Sequence, residues 1–406
     1  MESGKKKWIG ITICIVLITN MLTFFGSNLI SLSVPNGKVI VSKQDYNRLL
    51  DFSKMFQIRD VLYKSYDGKI DDAALEEGAI KGMTAALNDP YTVFMNKEEF
   101  GEFNSQTEGN YSGVGLQIQV KDNKIVVVDV FENSPAKNAG IIPKDIVEKV
   151  NGTTVTGKDS EKAVTMMKGQ EGTEVTVTFF REGKGSFDTI LKRSKIDMVT
   201  VKGEMIDSNV AYIQVSMFDE NTSKNFKKKL DSLKTEGMKG LIVDLRGNPG
   251  GVLDECVKMA SNFIPKGKVV VSTIDKYKSE KKYKSKGGDF IGLPLVILTN
   301  EGSASASEVF SGALRDYKSA TLVGEKTFGK GVVQTLFDTG SGTALKVTIS
   351  KYYTPNGENI HGIGIKPDVA IEYPKELLKL PYNRSTDPQF IKALGVIREN
   401  IERGKK

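Results

Sequence analysis

Histidine is nearly absent: 406 residues contain one, His361. That shortage excludes most zinc sites, which draw on several His or Cys ligands. It also leaves any serine–histidine triad a single candidate base. Cysteine is almost as scarce. Cys14 lies in an apolar run and Cys256 far from it, so no disulfide framework is indicated. Charged residues make up 26% of the chain and hydrophobic ones 39%, a globular balance rather than a disordered one. The net charge of +7 reads as spread along the chain. With no basic stripe interleaved with aromatics, nucleic-acid binding is not expected.

Long hydrophobic runs are also few. One follows Lys5, Lys6 and Lys7 and extends from Trp8 to about Phe25. Its length is at the low end for a membrane span, and the lysines should stay inside. Residues 1–30 are therefore expected to form a single-pass signal anchor in the cell membrane, with the rest of the chain outside the cytoplasm. A cleaved signal peptide is the competing reading, but Gly26-Ser27-Asn28 matches a small-x-small cleavage site poorly.

Beyond the break at Val34-Pro35-Asn36-Gly37 the pattern turns helical over 38–95. Leu49, Phe52 and Phe56 share one helical face, and Leu75, Ala79, Met83 and Leu87 share another. Two such helices bury little alone, so a neighbour or a second chain is expected to cover them. Residues 96–194 read as short strands, turns and helices. Gly113-Val114-Gly115-Leu116 leads into alternating Gln117-Ile118-Gln119-Val120, and Ser134 to Gly140 reads as a short helix closed by glycine. From 198 to 370 strands alternate with helices, the pattern of a parallel-type sheet with helices on it. Lys276–Lys286, rich in Lys and Tyr, reads as a solvated loop. Residues 371–406 form a C-terminal segment.

Three segments carry chemistry. Asn300-Glu301-Gly302-Ser303-Ala304-Ser305-Ala306-Ser307-Glu308 follows a buried strand and opens a helix. Small residues admit a substrate backbone, and free N–H groups at a helix start suit a developing oxyanion. A lone S-x-S-x-S would otherwise read as a cap at Ser303 with Ser307 facing solvent. Next, Thr327-Phe328-Gly329-Lys330-Gly331-Val332-Val333-Gln334 puts a lysine between two glycines. Lysine serves as a general base when desolvation lowers its pKa. Gln334, four residues on, would share a strand face with Lys330 and could hold its amine. Finally, Asp244-Leu245-Arg246-Gly247-Asn248-Pro249-Gly250-Gly251 sits at the carboxyl end of a strand, where α/β sites form. It lacks the G-K-[ST] ending of a phosphate loop.

The G-V-G-L loop, the S-P-A-x-x-A-G segment and Lys144-Asp145-Ile146 together resemble a PDZ domain of the bacterial, protease-associated type. In such a domain the loop N–H groups of Gly113, Val114, Gly115 and Leu116 would hold a peptide carboxylate, and the following strand offers a free edge. The motifs D-L-R-x-N-x-G-G, S-A-S-A-S-E, T-F-G-K-G-x-V-Q, Gly362-Ile363-Gly364-Ile365-Lys366-Pro367-Asp368 and Asn88-Asp89-Pro90-Tyr91-Thr92 resemble the carboxyl-terminal processing proteases. The resemblance runs from the second helix to Asp368. It implies a crotonase- or ClpP-like αβ-spiral peptidase core with an inserted PDZ-like domain. It places the nucleophile at Ser305, the general base at Lys330 and the lysine-orienting glutamine at Gln334. The oxyanion donors would be the N–H of Ala306 and one from Gly250 or Gly251. It further implies protein substrates bound by their C-terminal tails, a homodimer, and no cofactor or metal. Where relatives often carry Arg-Gly before the last PDZ strand, this chain has Lys168-Gly169, so Lys168 is the candidate regulatory position, without arginine's bidentate fork. His361 as base, and a membrane-anchored PDZ binding protein or chaperone without catalysis, are the rival readings.

Overall fold

The computed structural model describes residues 15–20, 33–34, 38–39 and 42–404. The expected anchor lies largely outside them; residues 15–20, its described part, are helical and exposed. Among the described residues no helix is long and apolar enough to cross a membrane. The chain divides into two compact units, residues 1–78 and 79–406.

In the first unit, helices Lys43–Asp51 and Ser53–Ser65 follow one another, with Ser42 capping the first through the Asp45 N–H. Their apolar residues, among them Leu49, Phe52, Phe56 and Ile58, are exposed.

In the second unit, strands Asn110–Gly113 and Ser194–Asp197 pair antiparallel, so the chain enters and leaves the intervening domain side by side. That domain is an antiparallel sheet ordered Gly185–Lys192, Glu174–Arg181, Ile146–Val150, Lys124–Val130, Leu116–Lys121. Leu116–Lys121 is the edge strand, as the sequence predicts. Helix Ser160–Met167 buries Ala163 and Met167. The core holds Ile125, Val147, Val177 and Phe179, and Arg181 grips the buried Asp145 carboxylate at 2.6 Å.

Beyond residue 198 the main sheet runs Val201–Met205, Val210–Val215, Gly240–Asp244, Leu295–Thr299, Thr321–Gly324, Val369–Ala370. All neighbours after the first pair are parallel. Alternate residues of each strand face opposite layers. Ile213, Leu241, Val243 and Ile297 meet helices Thr222–Thr235, Leu253–Ser261 and Ala306–Asp316 through Phe226, Met259 and Phe310. Tyr212, Ile242, Val296 and Leu298 meet Phe390, Ala393 and Ile397 of the last helix, Pro388–Arg403. Burial on both faces is why these strands are apolar throughout.

A second, antiparallel sheet is ordered Glu280–Lys284, Val269–Asp275, Thr343–Tyr353, Val332–Gly340, with Val93–Met95 added on Thr343–Tyr353. It corrects two expectations. The Lys/Tyr-rich segment is not a loop. Residues 280–284 are an edge strand whose Tyr283 packs on the core while its lysines face water. Lysine is depleted in strands generally yet is a device for blunting sheet edges. Nor is the basic excess spread out: residues 266–286 hold eight lysines against Asp275 and Glu280, a net +6 of the chain's +7.

Candidate active site

Ser305 ends the turn after Leu295–Thr299 and caps helix Ala306–Asp316. Its φ of 54° with ψ of −112° is a conformation non-glycine residues rarely adopt, at a cost of about 1–3 kcal/mol. The surrounding bonds hold it there. Its N–H donates to Glu308 Oε2 at 2.9 Å. Ser303 Oγ donates to Leu245 O at 2.8 Å, Ala304 N–H to Asn248 O at 3.0 Å, and Ser307 Oγ to Asn248 O at 3.0 Å. The alternative of a solvent-facing Ser307 is therefore wrong; it is fully buried. These bonds stitch the serine turn to the Asp244–Gly251 segment. Gly250 lies so close that a Cβ there would fall 2.8 Å from Ser305 Cβ and 3.0 Å from Ala306 N. The Gly250 N–H is taken by Asn248 Oδ1 at 2.9 Å. Among the described residues the N–H groups of Ala306 and Gly251 have no acceptor. Tyr352 is buried with its hydroxyl beside the Ser305 side chain. Burial pushes that hydroxyl well above its ordinary pKa, with the Ser305 hydrogen bond offsetting part, so it stays a neutral phenol.

Glu308, fully buried, is the hub that sequence reasoning missed. Besides the Ser305 N–H, its carboxylate accepts the N–H of Gly329 at 2.8 Å, the N–H of Lys330 at 2.8 Å and Thr327 Oγ1 at 2.6 Å. One side chain thus fixes the backbone of both dyad candidates. The final E of S-A-S-A-S-E was the available signal, because an acid three residues after a helix cap reaches back to the cap N–H.

The glycines around Lys330 have a steric reason. Gly329 has φ of 94°, and a Cβ on Gly331 would meet His361 N at 2.4 Å. The lysine side chain lies with Nζ 4.8 Å from the Tyr91 ring centroid. Burial first, then the charge of Lys346, hold its pKa below the ordinary lysine value, while Asp89 and Glu308 pull the other way. Lys346 is itself lowered by burial and lies over Phe103 at 5.3 Å. Asp89 accepts Thr92 Oγ1 at 2.6 Å and the Tyr91 N–H at 3.1 Å. Burial raises its pKa, but these bonds and one from Thr348 outweigh that and leave it lowered. Asp89, Tyr91 and Lys346 could not be assigned from the sequence, since strand Thr343–Tyr353 went unread and the N-D-P-Y-T motif lies far away in the chain.

The two candidate dyad side chains do not meet in this conformer. Among the described residues no hydrogen bond joins Ser305 Oγ to Lys330 Nζ or Lys330 to Gln334. Gln334 Nε2 donates instead to Thr348 Oγ1 at 3.3 Å. The expectation of a shared strand face fails for a local reason. The strand begins at Val332, after Lys330, and its register shifts between Val333 and Gln334. His361 is exposed, its ring 6.5 Å edge-on from Tyr91.

A cavity of about 1070 Å³ runs from Gly113, Val114, Gly115 and Leu116 past Val164, Met167 and Lys168 to Ser216, Met217 and Pro249. Pro249 adjoins the Gly250-Gly251 turn, so the groove leads from the PDZ-like loop toward Ser305. Lys168 Nζ lies 5.8 Å from the Tyr111 ring. Beside it the buried Arg193, unremarked in the sequence, donates to Met166 O at 2.8 Å and Met167 O at 3.2 Å, closing the end of helix Ser160–Met167. Among the described residues no cluster of His, Cys, Asp and Glu could hold a metal.

Comparison with known proteins bears on this arrangement. Residues 209–371 match the family model "Peptidase family S41", residues 112–188 the PDZ domain, and residues 16–99 the activating protease CtpB N-terminal domain. The carboxy-terminal processing protease CtpA of Bacillus subtilis (strain 168) is 38% identical over 91% of this chain and 78% of its own length. The "Probable CtpA-like serine protease" of Staphylococcus aureus (strain COL) is 40% identical over 91% of this chain and 74% of its own. A structure described as an S41 protease from Bacteroides fragilis NCTC 9343 shares the fold with a TM-score of 0.54 at 17% identity, over 82% of this chain and 92% of that one.

Proposed function

The chain belongs to the carboxy-terminal processing serine proteases of peptidase family S41, with a PDZ domain, and on that premise we propose that Ser305 and Lys330 are its catalytic dyad. Neutral Lys330 takes the Ser305 proton, and Ser305 attacks a peptide carbonyl. The N–H groups of Ala306 and Gly251, rather than Gly250, hold the oxyanion. The lysine ammonium returns the serine proton to the leaving amine as the C–N bond breaks and, neutral again, activates the water that releases the acyl-enzyme. Engagement requires Lys330 Nζ to leave the Tyr91 ring, a rotamer change that its four-carbon stem permits. Gln334 then orients the amine. The loop Gly113–Leu116 takes the terminal carboxylate of a flexible protein tail, the edge strand Leu116–Lys121 pairs with it, and Lys168 answers to its arrival. Residues 8–25 anchor the enzyme in the cell membrane with the protease outside the cytoplasm, and the exposed apolar helices before residue 66 join a homodimer.

The observation that carries this reading is the Glu308 carboxylate binding the backbone of Ser305 and Lys330 at once. The test is single-turnover trimming of a protein with an unstructured apolar C-terminus. Ser305→Ala and Lys330→Ala are each expected to lose about ten-thousandfold or more in kcat/KM. Tail binding to Ser305→Ala should be retained. Trimming by Ser305→Ala at the normal rate would refute the dyad, whereas tail binding without any trimming by the unaltered protein would favour a PDZ binding protein without catalysis.

A further inference from the structure

A dense local charge lies on a hairpin that takes no part in lining the peptide groove. Residues 266–286 carry the net +6 described above, so the other 385 residues together carry only +1. Every one of the eight lysines is exposed. The two acids are spent locally. Asp275 accepts the Tyr277 and Ser279 N–H groups and so builds the hairpin turn, and Glu280 pairs with Lys282 at 3.1 Å. Strand Glu280–Lys284 is the outer edge of its sheet. At the turn Tyr277 is 78% exposed, between Lys276 and Lys278.

We propose that this hairpin is an anionic-membrane contact that seats the peptidase domain on acidic phospholipid headgroups. Edge protection alone explains lysines on strand 280–284. It does not explain those at 266, 268, 276, 278 and 286, which lie outside the strand. The segment lines neither the peptide groove nor the cavity around Arg246 and Tyr382, so it suits a plane of phosphates better than a single polymer strand, which groove-lining lysines would track. A tyrosine flanked by lysines fits the headgroup level, with its ring among the glycerols and its hydroxyl in water. Basic residues near a membrane draw on its negative surface potential within about one Debye length. The inference stands whether or not Ser305 and Lys330 act as proposed.

The test uses the full chain with its single tryptophan, Trp8, changed to Phe and Tyr277→Trp as reporter. It is reconstituted in vesicles carrying a dansyl-labelled lipid acceptor, either of phosphatidylcholine alone or with one third phosphatidylglycerol. Energy transfer from the hairpin is expected to be well over tenfold stronger on the anionic vesicles. It should collapse at about 0.5 M salt, where screening shortens to a few ångström. It should also collapse when Lys276, Lys278, Lys281, Lys282 and Lys284 are changed to Gln, with trimming of a soluble substrate unchanged. Equal transfer on both vesicles, or transfer indifferent to salt, overturns the proposal. So does displacement of the hairpin from anionic vesicles by low concentrations of soluble polyphosphate, which would identify a polyanion as the partner instead.

Discussion

The two halves of the candidate active site are built differently. Around Ser305 every backbone and hydroxyl group that is not aimed at substrate is spent: Ser303, Ala304 and Ser307 bond the neighbouring turn, and Glu308 and Gly250 leave Ser305 no freedom to relax. Around Lys330 only the backbone is fixed. Its side chain rests on an aromatic face, its expected glutamine partner bonds Thr348, and the sheet beneath carries a register shift. On the proposed mechanism, the contrast means that the N–H groups meant for an oxyanion are held in place, whereas the proton acceptor has still to be brought in. A strained nucleophile is useful only if held, and a lysine base is useful only if it can be kept neutral. Hydrogen bonds serve the first demand, and burial works toward the second by lowering the Lys330 pKa.

The largest break in that contrast should come from the one group shared by both halves. Glu308→Ala strands the N–H groups of Ser305, Gly329 and Lys330. Removing one partner of a buried, charged hydrogen-bond network costs about 3–5 kcal/mol. Thermal unfolding should shift down accordingly, and trimming should be lost in the fraction that remains folded. A variant with unchanged Tm and activity would mean that the two halves are held independently.

The lysine half can be tuned without touching Ser305. A neutral amine is the active form, so activity should rise with pH through the Lys330 pKa, which lies below its ordinary 10.5. Burial and the charge of Lys346 depress it; Asp89 and Glu308 oppose them. Lys346→Met removes the like charge while keeping an apolar stem over Phe103. The rising limb of the kcat/KM profile should then move to higher pH. Stability follows the same sign. Between the depressed folded value and 10.5 the unfolded chain binds more protons at Lys330, so the fold gains stability as pH rises through that window and loses it as pH falls through the folded value. A limb unmoved in Lys346→Met would show that burial alone sets the base. A smaller effect is expected at Gln334. If it orients Lys330 on engagement, Gln334→Ala lowers kcat about tenfold, the worth of one hydrogen bond, and leaves Tm nearly unchanged.

The same contrast explains what was legible in the sequence. The serine half is local: S-A-S-A-S-E and the D-L-R-G-N-P-G-G turn are contiguous stretches, and their strands, Leu295–Thr299 and Gly240–Asp244, are apolar enough to be read directly. The lysine half is assembled from afar. Tyr91 and Asp89 come from before the PDZ domain, and Lys346 and Thr348 from the distant strand Thr343–Tyr353. The parity argument for Gln334 failed because a register shift is a tertiary event with no sequence mark. The basic hairpin was misread for a related reason. Lysine lowers strand propensity, and only pairing with Val269–Asp275 shows that the segment is an edge.

The least disruptive change addresses the remaining rival for the base. His361 approaches the site, its ring edge-on to Tyr91, which in turn underlies Lys330. It is exposed, however, and it is Lys330 whose pKa burial lowers. An exposed imidazole whose ring meets Tyr91 rather than Ser305 is poorly placed to take the serine proton, since a general base must come within hydrogen-bond reach. His361→Ala should therefore change kcat/KM by no more than about twofold, the scale of an ordinary surface substitution. The rising limb of the pH profile should stay where it was. If that limb instead vanished with the imidazole, the proton would be passing through His361, and the adjustable half of the site would be a histidine relay rather than a buried lysine.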